Sequence, residues 1–481
     1  MILTAKRSVS AKKPVFTPGS ETWSGSEKFL FRILFLFVIL LVIPYEPAFY
    51  VRLFNSRSFF WYLSTLAGYR PNFYTLQSES GRWGLGSYVN WGIAAAIATI
   101  GALIWTAIAT KTERGRTNYN LLYYWTRVVM RYRIAIGLIA FGFLKVYPMQ
   151  MPYPSLSNLV TDLGEYNTYK IYWQHVGIAI WYEILLGWVE VIGGVLMFFR
   201  ATTFIGALIN AGVLYNIAHA NIGYDGGVHV YSSFFVLFSL ILLIPYIIDL
   251  YRLFVQQRTV VPRRYVPPLN TKAKKIGYLA TKFSIVILFT LVYGVLRYGV
   301  HYKEKYLKEP VTPGLSNAAG IYNVTEFRLN GNPLPYNPLD SVRWQNVVFE
   351  NWSTMIYKVN KPFPISLNNG TPNLNDVQRS YELAGIAGGR RFLYYEKDTI
   401  NQILYLKDKN QKRGGDEESA RGTVAATKKE KPEKPLFTWR YDRPSSSRIV
   451  LHGKLENKDS FDVVLDRVDR KFPIQIKRLK Y

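Results

Sequence analysis

The sequence predicts an α-helical integral membrane bundle of about seven transmembrane helices, followed by a C-terminal all-β extramembrane domain. Three observations carry this reading. Residues up to about 300 hold seven apolar stretches, each near the ~20 residues that cross a bilayer. Aromatic residues make up 16% of the chain, a share that suits membrane interfaces, where Trp and Tyr concentrate. Beyond about residue 303 the apolar runs shorten to strand length and begin to alternate.

The spans lie at about 29–47, 88–110, 128–147, 176–199, 202–219, 229–250 and 276–299. The first follows a basic stretch containing Lys6, Arg7, Lys12, Lys13 and Lys28. It runs into "VIPYEPAFYVR" without a small-residue cleavage site, so it reads as an anchor rather than a signal peptide. The net charge of +27 is spread around the apolar stretches, which gives it a topogenic role and speaks against nucleic-acid binding. The N-terminus, the second connection (Lys111, Arg114, Arg116, Arg127), the turn at Arg200 and the sixth connection (Arg252, Arg258, Arg263, Arg264, Lys272, Lys274, Lys275) then face the cytoplasm. The third connection, "PMQMPYPSLSNLVTDLGEYNTYK", is poor in Lys and Arg and faces outward, as does everything after the seventh span. The first connection fits less well: it carries Arg52, Arg57, Arg70 and Arg82, yet the alternation puts it outside.

In the C-terminal region "GIYNVTEFRLNGNPLP" alternates and contains the hairpin turn signal Asn330-Gly331. "RWQNVVFENWSTMIYKV", "RRFLYYEKD", "INQILYLKD", "FTWRY", "RIVLHGKLENKDSFDVVLDRV" and "FPIQIKRLKY" are further strand candidates. Many short strands separated by turn residues predict a β-sandwich or small barrel. Residues 409–435 are polar and read as a disordered loop within it. Such a domain can cap the bundle, dock a partner or enclose a ligand.

The chain has no cysteine, which excludes disulfides, thiolate metal sites and thiol redox chemistry. No Gly-x-Gly-x-x-Gly follows a strand, so a flavin or nicotinamide fold is not expected. Ionisable residues inside spans are costly and mark candidate sites. Lys145 lies near the outer end of the third span, and Glu183 and Glu190 lie in the fourth. Glu183, Gly187, Glu190 and Gly194 share one helix face, where the glycines admit a close neighbour. Depth favours a Lys145–Glu183 pair, with Asn210 a partner for Glu190. These groups serve either as a helix clamp or in proton or ligand handling. His175, His219, His229 and His301 fall at the outer interface, and with Asp225 they match no metal-ligand spacing, so no metal is expected. The stretch "NIAHANIGYDGGVHVYSS" reads as an outward-facing corner between the fifth and sixth spans: a bonded turn or the floor of a pocket. The candidate polar pocket comprises Lys145, Tyr147, Glu183, Glu190, Asn216, His219, Asn221, Tyr224, Asp225 and His229.

Over about residues 125–255 the chain resembles the DoxX family of bacterial membrane proteins. The resemblance rests on "RYRIAIGLIAFGFLKVYPMQMPYPS", "GWVEVIGGVLMFFRATTFIGALI" and the corner stretch. The corner is similar to a longer subgroup with an added C-terminal region, which carries Lys where this chain has His229. The resemblance implies a four-helix core, with Lys145, Glu190, Asn216, Asn221, Tyr224 and Asp225 as its site positions. The domain plan is then a cytoplasmic basic N-terminus at 1–27, two helices with loops at 28–127 and the core at 128–255. A loop and seventh helix follow at 256–302, and a periplasmic β-rich domain at 303–481. It further implies the bacterial inner membrane and membrane redox work. The expected function is a redox-associated subunit binding a quinone-like ligand near the outer leaflet, alongside the bilayer and a protein partner. The alternative is a non-enzymatic anchor whose β-domain docks partners. A transporter is disfavoured because matching halves with paired broken helices are missing. Catalysis is not assigned.

Overall fold

The computed structural model describes residues 22–71, 73, 88–151, 153–261, 265–363, 370, 372–410 and 435–474. The basic residues before position 22, Arg82, Arg263, Arg264, most of the 409–435 loop and most of "FPIQIKRLKY" lie outside them. The first helix, α1 (Gly25–Val42), opens where Ser24 and Glu27 form a reciprocal capping box. Then come α2 (Pro47–Phe54), α3 (Phe59–Ala67), α4 (Val89–Thr112) and α5 (Asn120–Val146). The one-turn α6 (Leu156–Leu159) precedes α7 (Thr168–Gly177), α8 (Ile180–Phe198), α9 (Thr203–Gly223) and α10 (His229–Leu250). The last helix, α11 (Lys272–Lys303), is continuous but contains two π-helical turns.

Five helical segments are long and apolar enough to cross a membrane: Val89–Thr112, Ile180–Phe198, Arg200–Gly223, His229–Val255 and Lys272–Lys303. The bent pair α1 and α2, which meet at 44°, makes a sixth if taken as one span. The remaining expected span is α5, 27 residues long but interrupted by Arg127, Arg131, Arg133 and Lys145. Two of these arginines close other helices. Arg131 donates from Nε to Met197 O (2.9 Å) and from Nη2 to Phe198 O (2.8 Å), the last carbonyls of α8. Arg133 donates to Ala67 O (3.0 Å) and Tyr69 O (2.5 Å) at the end of α3. Carbonyls at a helix C-terminus lack intrahelical partners and carry partial negative charge, so a guanidinium placed there meets both needs.

The first connection is more than a loop. It holds α2 and α3, and α3 packs into the bundle: Phe60 meets Tyr293 (5.4 Å between centroids), Trp61 meets Tyr306 (5.0 Å), and its end reaches Arg133 midway along α5. This accounts for two of the four arginines that fitted the loop-charge pattern poorly, Arg57 and Arg70. Arg57 pairs with Glu304 at 2.6 Å, and Arg70 lies over the Tyr231 ring at 4.3 Å. They answer local partners, whereas loop-charge counting treats every arginine as topogenic.

The C-terminal domain is an antiparallel barrel. Its strands are β1 (Gly320–Leu329), β2 (Asn332–Pro333), β3 (Asn346–Phe349), β4 (Thr354–Lys358), β5 (Arg390–Asp398), β6 (Ile403–Asp408), β7 (Phe437–Ser445), β8 (Arg448–Lys454) and β9 (Ser460–Val468). Eight strands close the ring when β1 pairs with β9 on one side and β3 on the other; β2 only extends the Asn330-Gly331 hairpin. Closure removes the unpaired edges that make sheets aggregate. Alternate residues point inward, and Tyr322, Trp344, Phe349, Tyr395, Trp439 and Phe461 fill the interior. The interior of the barrel is therefore a packed core among the described residues.

Candidate functional site

Lys145, Glu183 and Glu190 lie at the seam between α5 and α8. The helices touch backbone to backbone there: a Cβ on Gly187 would fall 2.5 Å from Val146 N, and one on Gly142 would fall 2.8 Å from Gly187 O. This is the close approach that the glycine spacing predicts. Lys145, in the last turn of α5, donates from Nζ to both oxygens of Glu190, at 2.8 and 2.9 Å. The expectation that Lys145 would pair with Glu183 is thus corrected. Depth alone misleads here, because a long lysine side chain can reach a partner at a different level from its own Cα. Asn210 is not the partner of Glu190 either; its amide donates to Gly193 O (3.3 Å) across the α8–α9 contact. Glu183 has a different task. Its Oε1 accepts from the backbone N–H groups of Gln150 (3.1 Å) and Met151 (3.0 Å), in the irregular chain after α5, while its buried Oε2 has no hydrogen-bond partner among the described residues.

The remaining candidates do not converge on these. The stretch read as a corner is mostly helix: Asn216, His219 and Asn221 lie in the last two turns of α9, and the turn itself is short. Asn221 is buried and donates to Ile217 O (2.7 Å) of its own helix. The chain then turns through Asp225 (φ 55°) and Gly227 (φ 77°), with Gly226 so close over Asn221 that a Cβ would lie 2.0 Å from its Oδ1. Asn216 and His219 are exposed, and His219 lies against Tyr215. Tyr224 stacks on Tyr172 at 5.0 Å. His229 is buried beside Tyr88. Tyr147 donates to Gly294 O (3.1 Å) and packs against Tyr298 and Tyr302. Among the described residues no group of three or more acids and histidines is placed to hold a metal ion.

A second concentration of buried charge lies where the α5–α8 connection meets the barrel, and sequence reasoning missed it. Glu350, after β3, accepts from the N–H groups of Ser157 (2.8 Å) and Leu156 (3.0 Å) and so caps the start of α6. Glu165 holds Lys358 (2.6 Å) and Arg390 (3.3 Å). Asn167 N donates to Gly385 O, and Ala387 N to Glu165 O, which continues the contact through backbone. Lys170 donates to the carbonyl of Tyr381, and Lys308 to that of Gln150 (2.9 Å) while lying over the Trp173 ring. Behind them, Glu382 and Lys409 form a fully buried pair at 2.6 Å, joined by Trp352 Nε1 at 3.0 Å. Burial holds the Lys170 ammonium down to about 7 and that of Lys308 to about 8, the latter opposed by nearby Glu183. Burial pushes the Glu350 carboxyl up to about 7 against the pull of its Ser157 and Leu156 donors. The signal that could have found this cluster is weak: Glu382 lies in the irregular run "SYELAGIAGG".

Comparison with models of known protein families, with curated proteins and with solved structures finds no match to this chain.

Two outcomes follow from this geometry. Removing one partner of a closed buried pair costs about 3–5 kcal/mol, whereas removing both costs far less. Lys145→Met should therefore lower the unfolding midpoint of the detergent-solubilised protein sharply, and Lys145→Met/Glu190→Met should recover most of the loss. The second outcome concerns pH. Glu350 carries a folded pKa above its unfolded value, so folded protein is favoured while the group is protonated. That stability is fully present below about 4.5 and is lost as pH rises through about 7. Across this window wild type should lose on the order of 3 kcal/mol relative to Glu350→Gln. Parallel denaturant titrations of the two proteins at several pH values measure it.

Proposed function

We propose that the chain is a DoxX-like envelope protein whose helices hold the barrel in a fixed pose as a platform for a partner protein. The observation that carries this is the junction. The α5–α8 connection is bound to the barrel by buried carboxylates, by paired backbone groups at Tyr166 and Ile386, and by apolar packing of Leu156 and Val160 on Val348, Ile356, Leu383 and Phe392. A tether would need none of this. The barrel interior is filled by aromatic side chains, so recognition falls to its outer surface. The reading includes seven crossings of a bacterial inner membrane. With the N-terminus cytoplasmic, the barrel and the α5–α8 connection face the periplasm, which agrees with the low Lys and Arg content of that connection.

A quinone-like ligand is the second reading, favoured by one observation: the Oε2 of Glu183 is buried without a hydrogen-bond partner among the described residues. One preparation separates the two. The full chain is purified in mild detergent after photo-crosslinking from the exposed barrel positions Leu339 and Ile400. Organic extracts are analysed by mass spectrometry. The platform reading expects one reproducible protein adduct from these positions and no stoichiometric quinone. A stoichiometric quinone that is lost in Glu183→Ala, with no barrel adduct, would replace it with the redox reading.

A further inference from the structure

Four arginines are buried in the helical part among the described residues: Arg32, Arg131, Arg133 and Arg297. A guanidinium stays charged and presents five N–H donors, so each needs oxygen acceptors. Three have them. Arg32 donates to Tyr119 Oη (2.6 and 3.1 Å) and Thr106 Oγ1 (2.7 Å), with Glu113 near. Arg131 and Arg133 cap α8 and α3 through carbonyls.

Arg297 differs. It is 4% exposed, and among the described residues its one hydrogen bond goes to the Met149 thioether, Nη2 to Sδ at 3.0 Å. Sulfur of this kind is a weak acceptor. Its other contact is the face of Phe60 at 5.3 Å. Its Nε is buried with no hydrogen-bond partner among the described residues. Among the described residues Arg297 forms no ion pair, and the nearby carboxylate Glu304 is engaged with Arg57. Further cations lie close in the chain: Lys305 follows on the same segment, and Arg57, the partner of Glu304, lies on the neighbouring connection. A buried cation left this way is strongly unfavourable unless something anionic completes it.

We propose that Arg297 anchors an anion-binding site at the barrel-side end of the bundle, taking the phosphate or carboxylate group of a ligand. The planar fork of a guanidinium matches both oxyanions in bidentate geometry, which a lysine cannot reproduce. The site lies between α3, the chain after α5 and the last turns of α11. Phe60, which also packs on Tyr293, gives it an aromatic wall. That wall suits an oxyanion carried on an apolar body, as in a phospholipid headgroup, and also admits a free small anion. The site is distinct from the barrel surface and does not depend on the platform reading.

Thermal unfolding of the full chain in a neutral detergent tests the proposal. The probes are inorganic phosphate, succinate, and mixed micelles of phosphatidylglycerol, with phosphatidylcholine micelles as the uncharged control. At least one anionic probe should raise the wild-type midpoint by several degrees in a saturable way, and phosphatidylcholine should not. A response to phosphatidylglycerol alone identifies a lipid headgroup; a response to phosphate or succinate identifies a free anion. Arg297→Met should abolish the rise, and without anion it should unfold at or above the wild-type midpoint. Arg297→Lys, which keeps the charge, should weaken half-saturation about tenfold and serves if the methionine variant does not fold. No rise with any anionic probe, or a rise unchanged in the Arg297 variants, overturns the proposal.

Discussion

The chain between α5 and α7 is gripped by carboxylates from two directions, and the rest of the architecture depends on that grip. From the helical side Glu183 accepts the N–H groups of Gln150 and Met151; from the barrel side Glu350 accepts those of Leu156 and Ser157. Irregular backbone beside a membrane has unsatisfied amides that neither lipid nor packed side chains can serve. Two ionisable side chains supply the acceptors, and in doing so they fix the distance and angle between bundle and barrel. The lysines drawn in around them, Lys170 and Lys308, spend their own protons on carbonyls of the same junction. The cost is a set of buried charges that is tolerable only while both halves stay together.

The same economy of charge runs through the bundle. Arg131 and Arg133 look like errors in a membrane span until the ends of α8 and α3 are seen to lie against them. Lys145 and Glu190 satisfy each other on a seam where glycine backbones leave room for little else. Each of these charges has a structural reason that is complete within the chain. That completeness argues for a clamp at the seam. It also makes Arg297, which lacks such a reason, the group that asks for something from outside.

Much of the fold was legible because it is written in local patterns. Apolar runs near bilayer length gave the long helices, and alternation with turn residues located β5 to the residue and the other strands within a few, while the candidate "FTWRY" stops four residues short of the end of β7. Gly187 and Gly194 announced a close helix contact because helical spacing puts them on one face. What escaped was long-range. The Lys145 partner depended on the path of a flexible stem. The entry of α3 into the bundle depended on aromatic contacts with a helix more than two hundred residues away. Glu350 and Glu382 carry no pattern that marks them, and Lys409 falls at the start of the expected disordered loop, which the structure corrects: Lys409 and Asn410 are buried against the barrel because Lys409 pairs with Glu382. The corner stretch misled for the opposite reason. Its asparagines and histidines suggested a loop, yet Asn221 bonds its own helix and the turn is confined to the few residues after Gly223.

The central claim is that bundle and barrel form one rigid unit. The chain has no cysteine, so a pair can be introduced without background. Thr110→Cys, near the far end of α4, and Ile400→Cys, on an exposed barrel loop, carry nitroxide labels whose separation is read by pulsed electron spin resonance in lipid nanodiscs. A rigid junction gives a single narrow distance distribution, which broadens when Glu165→Ala and Glu350→Ala are added. A broad distribution in the otherwise unaltered protein would mean that the barrel swings on a tether, and the account would fail.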